Sequence, residues 1–324
     1  MNYKRWLTDY GPMLLIWVGL VLLFGILSEN FLTTRTLATL ASQVPPLAII
    51  ACGMTLVLII AGIDLSVGST LALASAMLGV ALVDWQLPLL LAILVAVFTG
   101  GLAGLFNGAV SVFLRIPSFI VTLGTLEIAR GLAYVATDSQ TKYLGVVLES
   151  MARPLPVVGV PLSFLIALAI VLIGQFVLTR SAYGRYLIAI GTNESAVKLA
   201  GVPTAWKKIM VFVITGLLTG LAAVFFTARL GSADPNAGVG LELSAIAAVV
   251  IGGTSLMGGR GSVLNSFIGV LIIATLGAGL AQIGASEPSK RVVTGLVIVL
   301  AVTIDALRGG FFEKLKQRLK ISAS

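Results

Sequence analysis

The sequence predicts an all-α integral membrane protein, a polytopic bundle of about ten transmembrane helices with broken or re-entrant segments. Three observations carry that prediction. The 324 residues are 58% hydrophobic and only 10% charged, with a mean hydropathy of +1.08. A soluble domain carries about 25% charged residues, so too few remain here to clothe a globule. Apolar runs of spanning length recur between charge and turn clusters, and the basic excess is confined to a few connecting segments.

A bilayer core is crossed by roughly 17 to 25 apolar residues in a helix. The runs are 12–28, 44–61, 69–83, 87–113, 118–136, 161–178, 209–228, 241–257, 263–283 and 292–306, within a single transmembrane domain over 1–324. Runs 69–83 and 292–306 are short and 87–113 is long enough to tilt, so eight or nine spans are the alternatives to ten. The first run follows a basic start, as a signal peptide would. It exceeds a typical signal core, however, and Ser28-Glu29-Asn30-Phe31 lacks the small-x-small cleavage pattern, so a retained span is expected.

Lys and Arg set the orientation, because cytoplasmic segments hold their excess. Lys4 and Arg5 precede the first run. Segment 179–208 has Arg180, Arg185, Lys198, Lys207 and Lys208 against Glu194. The tail has Arg308, Lys314, Lys316, Arg318 and Lys320 against Glu313, whereas the charges of 137–160 cancel. Both termini and 179–208 are therefore expected in the cytoplasm, which an even number of spans satisfies. The net charge of +8 thus describes a membrane surface, and basic residues placed beside membrane spans argue against a nucleic-acid partner. With no histidine and only Cys52, His-based catalysis, His-ligated metals and internal disulfides are excluded.

Three interruptions carry the functional signal. Gly62-Ile63-Asp64-Leu65-Ser66-Val67-Gly68-Ser69 breaks the apolar pattern with Gly62, Asp64, Ser66 and Gly68. Irregular backbone at membrane depth is tolerated only where it is buried in protein or lines water. A translocation-path or gating element is one reading, and a helix cap supplied by Asp64 or Ser66 is the other. The second interruption, 251–262, contains Gly252, Gly253, Thr254 and Ser255. It echoes the first when Ile60-Ala61-Gly62-Ile63-Asp64-Leu65 is aligned with Ile251-Gly252-Gly253-Thr254-Ser255-Leu256, as an internal repeat would. Its glycines do not complete a G-x-x-x-x-G-K-[ST] phosphate loop, so nothing in the chain signals ATP hydrolysis.

In the third, Asn193 caps a short helix over about 194–200, with Glu194 in its first turn and Gly201 and Pro203 as stops. Ala196, Leu199 and Ala200 share its apolar face. Seven residues are too short for a lone helix in water, so it needs a membrane surface or a protein to dock on. Glu127 and Arg130, three residues apart in 118–136, share a helical face. They are expected to neutralise one another as a structural pair, with a polar contact along the transport path as the alternative. Gly100, Gly104 and Gly108, with Gly216 and Gly220, have small-xxx-small spacing, which fits packing within the chain as well as dimerisation.

These residues resemble a known family. Gly62–Ser69 looks like the hallmark of permease subunits of ribose-type ABC sugar importers. Gly184–Gly201 (GRYLIAIGTNESAVKLAG) and Ala245–Gly261 (AIAAVVIGGTSLMGGRG) resemble two further stretches of that family, and the likeness runs from about Pro12 to Asp305. The resemblance implies the ABC importer permease fold and a multi-pass subunit of the bacterial inner membrane that moves a monosaccharide or similar small polar solute inward. It implies a second permease copy, identical or similar, a periplasmic sugar-binding protein and a cytoplasmic ATPase. ATP and Mg would sit on that ATPase, with no cofactor on this chain. Coupling to the ATPase would fall to Gly191, Asn193, Glu194, Ala196, Leu199 and Gly201.

One departure is visible. Many relatives carry Glu-Leu-Asp-Ala-Ile-Ala where this chain has Glu242-Leu243-Ser244-Ala245-Ile246-Ala247; a different substrate and neutral drift both explain Ser244. An ion-coupled secondary transporter titrating Asp64 or Glu127 is the alternative function. A membrane enzyme would have few carboxylates inside the spans to build on, Glu127 and Asp305 among them.

Overall fold

The computed structural model describes residues 3–156 and 159–306. The helices are α1 (Tyr3–Leu27), α2 (Thr34–Ile59), α3 (Val67–Val83), α4 (Leu89–Phe113), α5 (Ser118–Ala136) and α6 (Glu149–Ala152). They continue as α7 (Leu162–Arg180), α8 (Ala182–Leu199), α9 (Thr204–Leu230), α10 (Leu241–Ile251), α11 (Val263–Gln282) and α12 (Glu287–Ala306). The basic tail after Ala306 lies outside the described residues. Prolines mark several starts: Pro88, Pro117, Pro161 and Pro203 immediately precede α4, α5, α7 and α9. Proline's fixed φ suits a helix entry, where its missing N–H would have no partner anyway.

The ten apolar runs fall on α1–α5, α7 and α9–α12, and seven of these helices have the length and hydropathy to cross a bilayer. The run 241–257 differs from its expectation. α10 stops at Ile251 after 11 residues, a rise of about 16 Å, or roughly half the hydrocarbon core. It stops there because the next residues, Gly252 and Gly253, turn the backbone, Gly253 with a positive φ of 79°.

α2 is the central helix. Val44 to Ile59 are all buried on it, and it packs against α7, α9, α10 and α11. α1, α4, α5 and α7 turn large apolar side chains outward instead; Ile26, Leu90, Phe98 and Phe176 are all more than 60% exposed. Lipid tails are as apolar as leucine, so these faces need no protein cover.

α4 and α9 run against each other at backbone distance. A Cβ on Gly100 would collide with Gly216 O, and one on Gly104 with Phe212 O; a Cβ on Gly220 would lie 2.5 Å from Ala96 O. The glycine stripes therefore serve packing within the chain. At the opposite end of the bundle from α8, β1 (Lys142–Tyr143) pairs antiparallel with β2 (Ser232–Ala233). This ties the loop after α5 to the α9–α10 link, and Lys142 Nζ pins it to Asp84 at 2.9 Å.

Candidate functional site

The α2–α3 link leaves the helical path with its backbone partners replaced by side chains. Ala61 N–H donates to Leu58 O (2.9 Å) and Gly62 N–H to Val57 O (2.9 Å), with Ala61 at φ 58°. Residues 62–66 then form neither helix nor strand, and the backbone is helical again at Ser66. Ile63 N–H donates to Ser118 Oγ (2.9 Å) and Leu65 N–H to Thr122 Oγ1 (3.0 Å). Both hydroxyls lie on one face of α5, four residues apart, so α5 serves as a surrogate for the missing helical turn.

Asp64 is 2% exposed. Its Oδ1 accepts from Ser66 N–H (2.9 Å) and Ser66 Oγ (2.6 Å). Ser66 Oγ in turn accepts from Asn107 Nδ2 (2.8 Å), and Asn107 Oδ1 accepts from Thr125 Oγ1 (2.6 Å). The result is one buried network across α3, α4 and α5. Asp64 closes a local turn two residues on, an Asx turn, while Ser66 makes no side-chain cap bond to α3. Asn107→Ala would remove the link between the Ser66 and Thr125 hydroxyls, which keep Asp64 Oδ1 and Val121 O as partners. It is expected to cost about 2 kcal/mol, about 1 for each of the two hydrogen bonds lost, read as a lower thermal midpoint of the purified chain.

Gly68 faces a second discontinuity. A Cβ there would collide with the Glu242 carboxylate and lie 2.5 Å from Gly238 O. Glu242 Oε1 accepts from Gly240 N–H (3.2 Å) at the start of α10, and Ser244 Oγ donates to Gly240 O (3.1 Å). The first turns of α3 and α10 therefore meet inside the bundle.

Arg130 serves this region and not Glu127. Its Nη1 donates to Pro235 O (2.6 Å) and Ala237 O (2.8 Å), holding the segment that descends to α10. No ion pair joins Glu127 to Arg130 among the described residues, which corrects the expected structural pair. Carbonyl oxygens on the 235–237 segment take the guanidinium instead, and Glu127 stays exposed on a face where a Cβ added at Gly124 or Gly131 would meet nothing within 4 Å.

The second interruption reproduces the turn of the first. Gly253 N–H donates to Val250 O (2.8 Å) and Thr254 N–H to Val249 O (3.2 Å), with Gly253 at φ 79°. Ala61 thus corresponds to Gly253, one residue away from the sequence alignment that paired Gly62 with it. Thr254 is fully buried and Ser255 nearly so. Gly259 N–H donates to Ile59 O (2.9 Å), so the two interruptions touch through backbone.

α8 lies against that contact. A Cβ on Gly191 would collide with both Ile59 O and Gly259 N. The helix kinks at Asn193 (φ −158°, ψ 90°), whose Oδ1 caps Ala196 N–H (3.0 Å). The predicted short helix is therefore present as a separate turn of helix beyond the Asn193 kink, following directly on the longer part of α8 that begins at Ala182. Glu194 holds Lys198 (2.9 Å), Lys208 (3.1 Å) and Thr204 (3.1 Å). Burial pushes its carboxyl up, but the two ammonium groups outweigh this and hold it below the usual carboxylate range. Ala196, Leu199 and Ala200 point outward, with Leu199 90% exposed, and Gly201 ends the helix at φ 79°.

A family model described as the permease component of a branched-chain amino acid transport system matches residues 36–302. The chain is 38% identical over 309 residues to the ribose import permease protein RbsC of Escherichia coli, covering 93% of this chain and 95% of that one. It is 39% identical over 321 residues to RbsC of Bacillus subtilis, covering 94% and 95%. It is 36% identical over 308 residues to the D-allose transport system permease protein AlsC of E. coli, covering 94% of each. The chain belongs to the ribose-type ABC importer permeases.

In this permease the residues singled out by sequence divide into two groups. Gly62, Asp64, Ser66 and Gly68 line one interruption, Gly252, Gly253, Thr254 and Ser255 the other, and Gly191 sits where the two touch. Glu127 stands apart, and Asn193, Glu194, Ala196, Leu199 and Gly201 form the outward half of α8. Sequence reasoning missed Asn107, Ser118, Thr122, Thr125 and Glu242. Asn107 had a readable signal as the one amide in the longest apolar run, and Glu242 as a carboxylate in the first turn of run 241–257. The permease homologues also set aside the ion-coupled alternative, and Asp64 is already engaged by Ser66.

Proposed function

We propose that this permease forms the pathway by which a monosaccharide, ribose or allose being the first to test, enters a bacterial cell. It would sit in the inner membrane as a dimer with itself or a similar permease, both termini and α8 in the cytoplasm. A periplasmic binding protein would deliver the sugar, and a separate ATPase would bind ATP and Mg and hydrolyse the nucleotide. The contact of Gly191 with Ile59 and Gly259 carries this reading. A push on the exposed edge of α8 reaches both interruptions at once, because backbone in contact with backbone leaves no slack to absorb it. The apolar edge of Ala196, Leu199 and Ala200 supplies the surface for the ATPase to push.

The scarcity of charge inside the bundle fits a pathway without a tight site, affinity being left to the binding protein. Asp64, Ser66 and Gly68 would shape one wall, with Glu242 and Ser244 opposite.

Glu194→Arg tests the reading. The variant faces Lys198 and Lys208 with a third cation and loses the link from α8 to α9. It is expected to insert normally while sugar uptake falls roughly tenfold or more, about 1.4 kcal/mol of lost coupling. Uptake at the parent rate, with the ATPase copurifying as before, would overturn the assignment.

A further inference from the structure

We infer that the α8 end of the permease carries a binding site for a phosphoryl group, either of a soluble phosphate ester or of an anionic lipid headgroup. A cavity of about 490 Å³ lies between the α2–α3 interruption, the α4–α5 link, α8 and the start of α9. Its charged lining is Arg115, Lys198 and Lys208 against Glu194 alone. Glu194 already binds both lysines. Arg115 has no ion pair or hydrogen bond among the described residues.

Arg115 is also held in the left-handed backbone region, at φ 57°, where a side-chain-bearing residue is uncommon. That conformation turns the chain sharply between α4 and α5 and leaves the residue on the cavity wall. The starts of α5 at Ser118 and of α9 at Thr204 line the same space, and their free N–H groups add positive potential to that of the side chains.

Phosphoryl chemistry fits better than a carboxylate. Three cations on three separate elements need an anion with several acceptor oxygens pointing in different directions, and the arginine fork pairs with phosphate oxygens in a bidentate manner. The volume falls within the range of small-molecule sites, so the group can arrive attached to a sugar or a glycerol. Basic pockets between helices at a cytoplasmic membrane face also take lipid headgroups. Once bound, the ligand would bridge Arg115 to Lys198 and Lys208 across Gly62. It would hold α8 against the α2–α3 interruption, from the side opposite Gly191.

The cytoplasmic placement rests on the proposed orientation, but binding is read on the isolated full chain and needs neither the ATPase nor transport. The permease is reconstituted in phosphatidylcholine nanodiscs, and its thermal midpoint is followed against inorganic phosphate and against a pentose 5-phosphate. In a second arm phosphatidylglycerol replaces part of the phosphatidylcholine. At least one arm is expected to raise the midpoint saturably, and Arg115→Gln, which loses no hydrogen bond or ion pair among the described residues, is expected to need about tenfold more ligand. A response to soluble ligands alone assigns a phosphate ester, and a response to phosphatidylglycerol alone assigns a headgroup. No response in either arm, or the same response in Arg115→Gln, would overturn the site.

Discussion

Gly191→Val is expected to abolish sugar uptake and to lower the thermal midpoint of the purified permease. The first atom of any side chain at this position meets Ile59 O and Gly259 N, which are themselves hydrogen-bonded at 2.9 Å. Neither partner is the end of a flexible side chain that could swing aside. α8 must withdraw from both interruptions, or the Gly259–Ile59 bond must open. Overpacking of this kind costs about 1–3 kcal/mol, and a stranded buried N–H or C=O adds about 1–3 kcal/mol. The variant is therefore expected to lose about 3 kcal/mol of stability together with uptake. Gly277→Ala, where nothing lies within 4 Å, is the matched control. Native uptake by Gly191→Val would show that α8 does not act on the interruptions through this contact.

Gly104→Val is expected to be the most damaging single change to the fold. Its side chain would enter Phe212 O, in a crossing where Gly100 brings α4 equally close to α9 and Gly108 is also tight. Small residues let these helices pack backbone to backbone, and in lipid that packing is a main source of association. Separating the pair also weakens the neighbouring seam of α9 with α2. A loss of about 3 kcal/mol or more is expected, a large fraction of the 5–15 kcal/mol that keeps a typical domain folded. The measurement is the monodisperse fraction after detergent extraction. A stripe used for dimerisation would give the contrary result, a well-folded monomer that fails only to pair.

Most helices were legible because a bilayer makes run length and polarity decisive. The run begun at 118 is kept to the residue by α5, while those begun at 87, 161 and 209 start as helices at Leu89, Leu162 and Thr204, each directly after a proline. The stop of α10 at Ile251 was harder. The apolar run extends to 257 while the interruption begins at 251, and the positive φ of Gly253 decides for the earlier boundary. The internal echo was read from side-chain identity, one residue out of register. The backbone repeats around Ala61 and Gly253, and an alanine in the left-handed region hides the match from any search for glycine.

The site was legible as interruptions but not as a network. Asp64 and Ser66 were visible because polar groups in an apolar run are costly. Their partners were not, since Asn107 and Thr125 come from α4 and α5, 41 or more residues away in the chain. Arg130 illustrates the same limit. Spacing along α5 put Glu127 within reach, yet the carbonyls of Pro235 and Ala237 took its guanidinium.

The sequence by itself determined that this chain lies in a membrane, where its apolar runs fall, where the helical pattern breaks, and which family it resembles. These are properties of local polarity, and the bilayer reads them segment by segment. Only the tertiary structure decided that the glycine stripes close α4 onto α9, that Arg130 serves the α9–α10 link, and that Gly191 sits where two interruptions touch. Such facts depend on which distant segments come within a hydrogen bond or an atom's width of each other, and contacts of that kind leave no periodic trace along the chain.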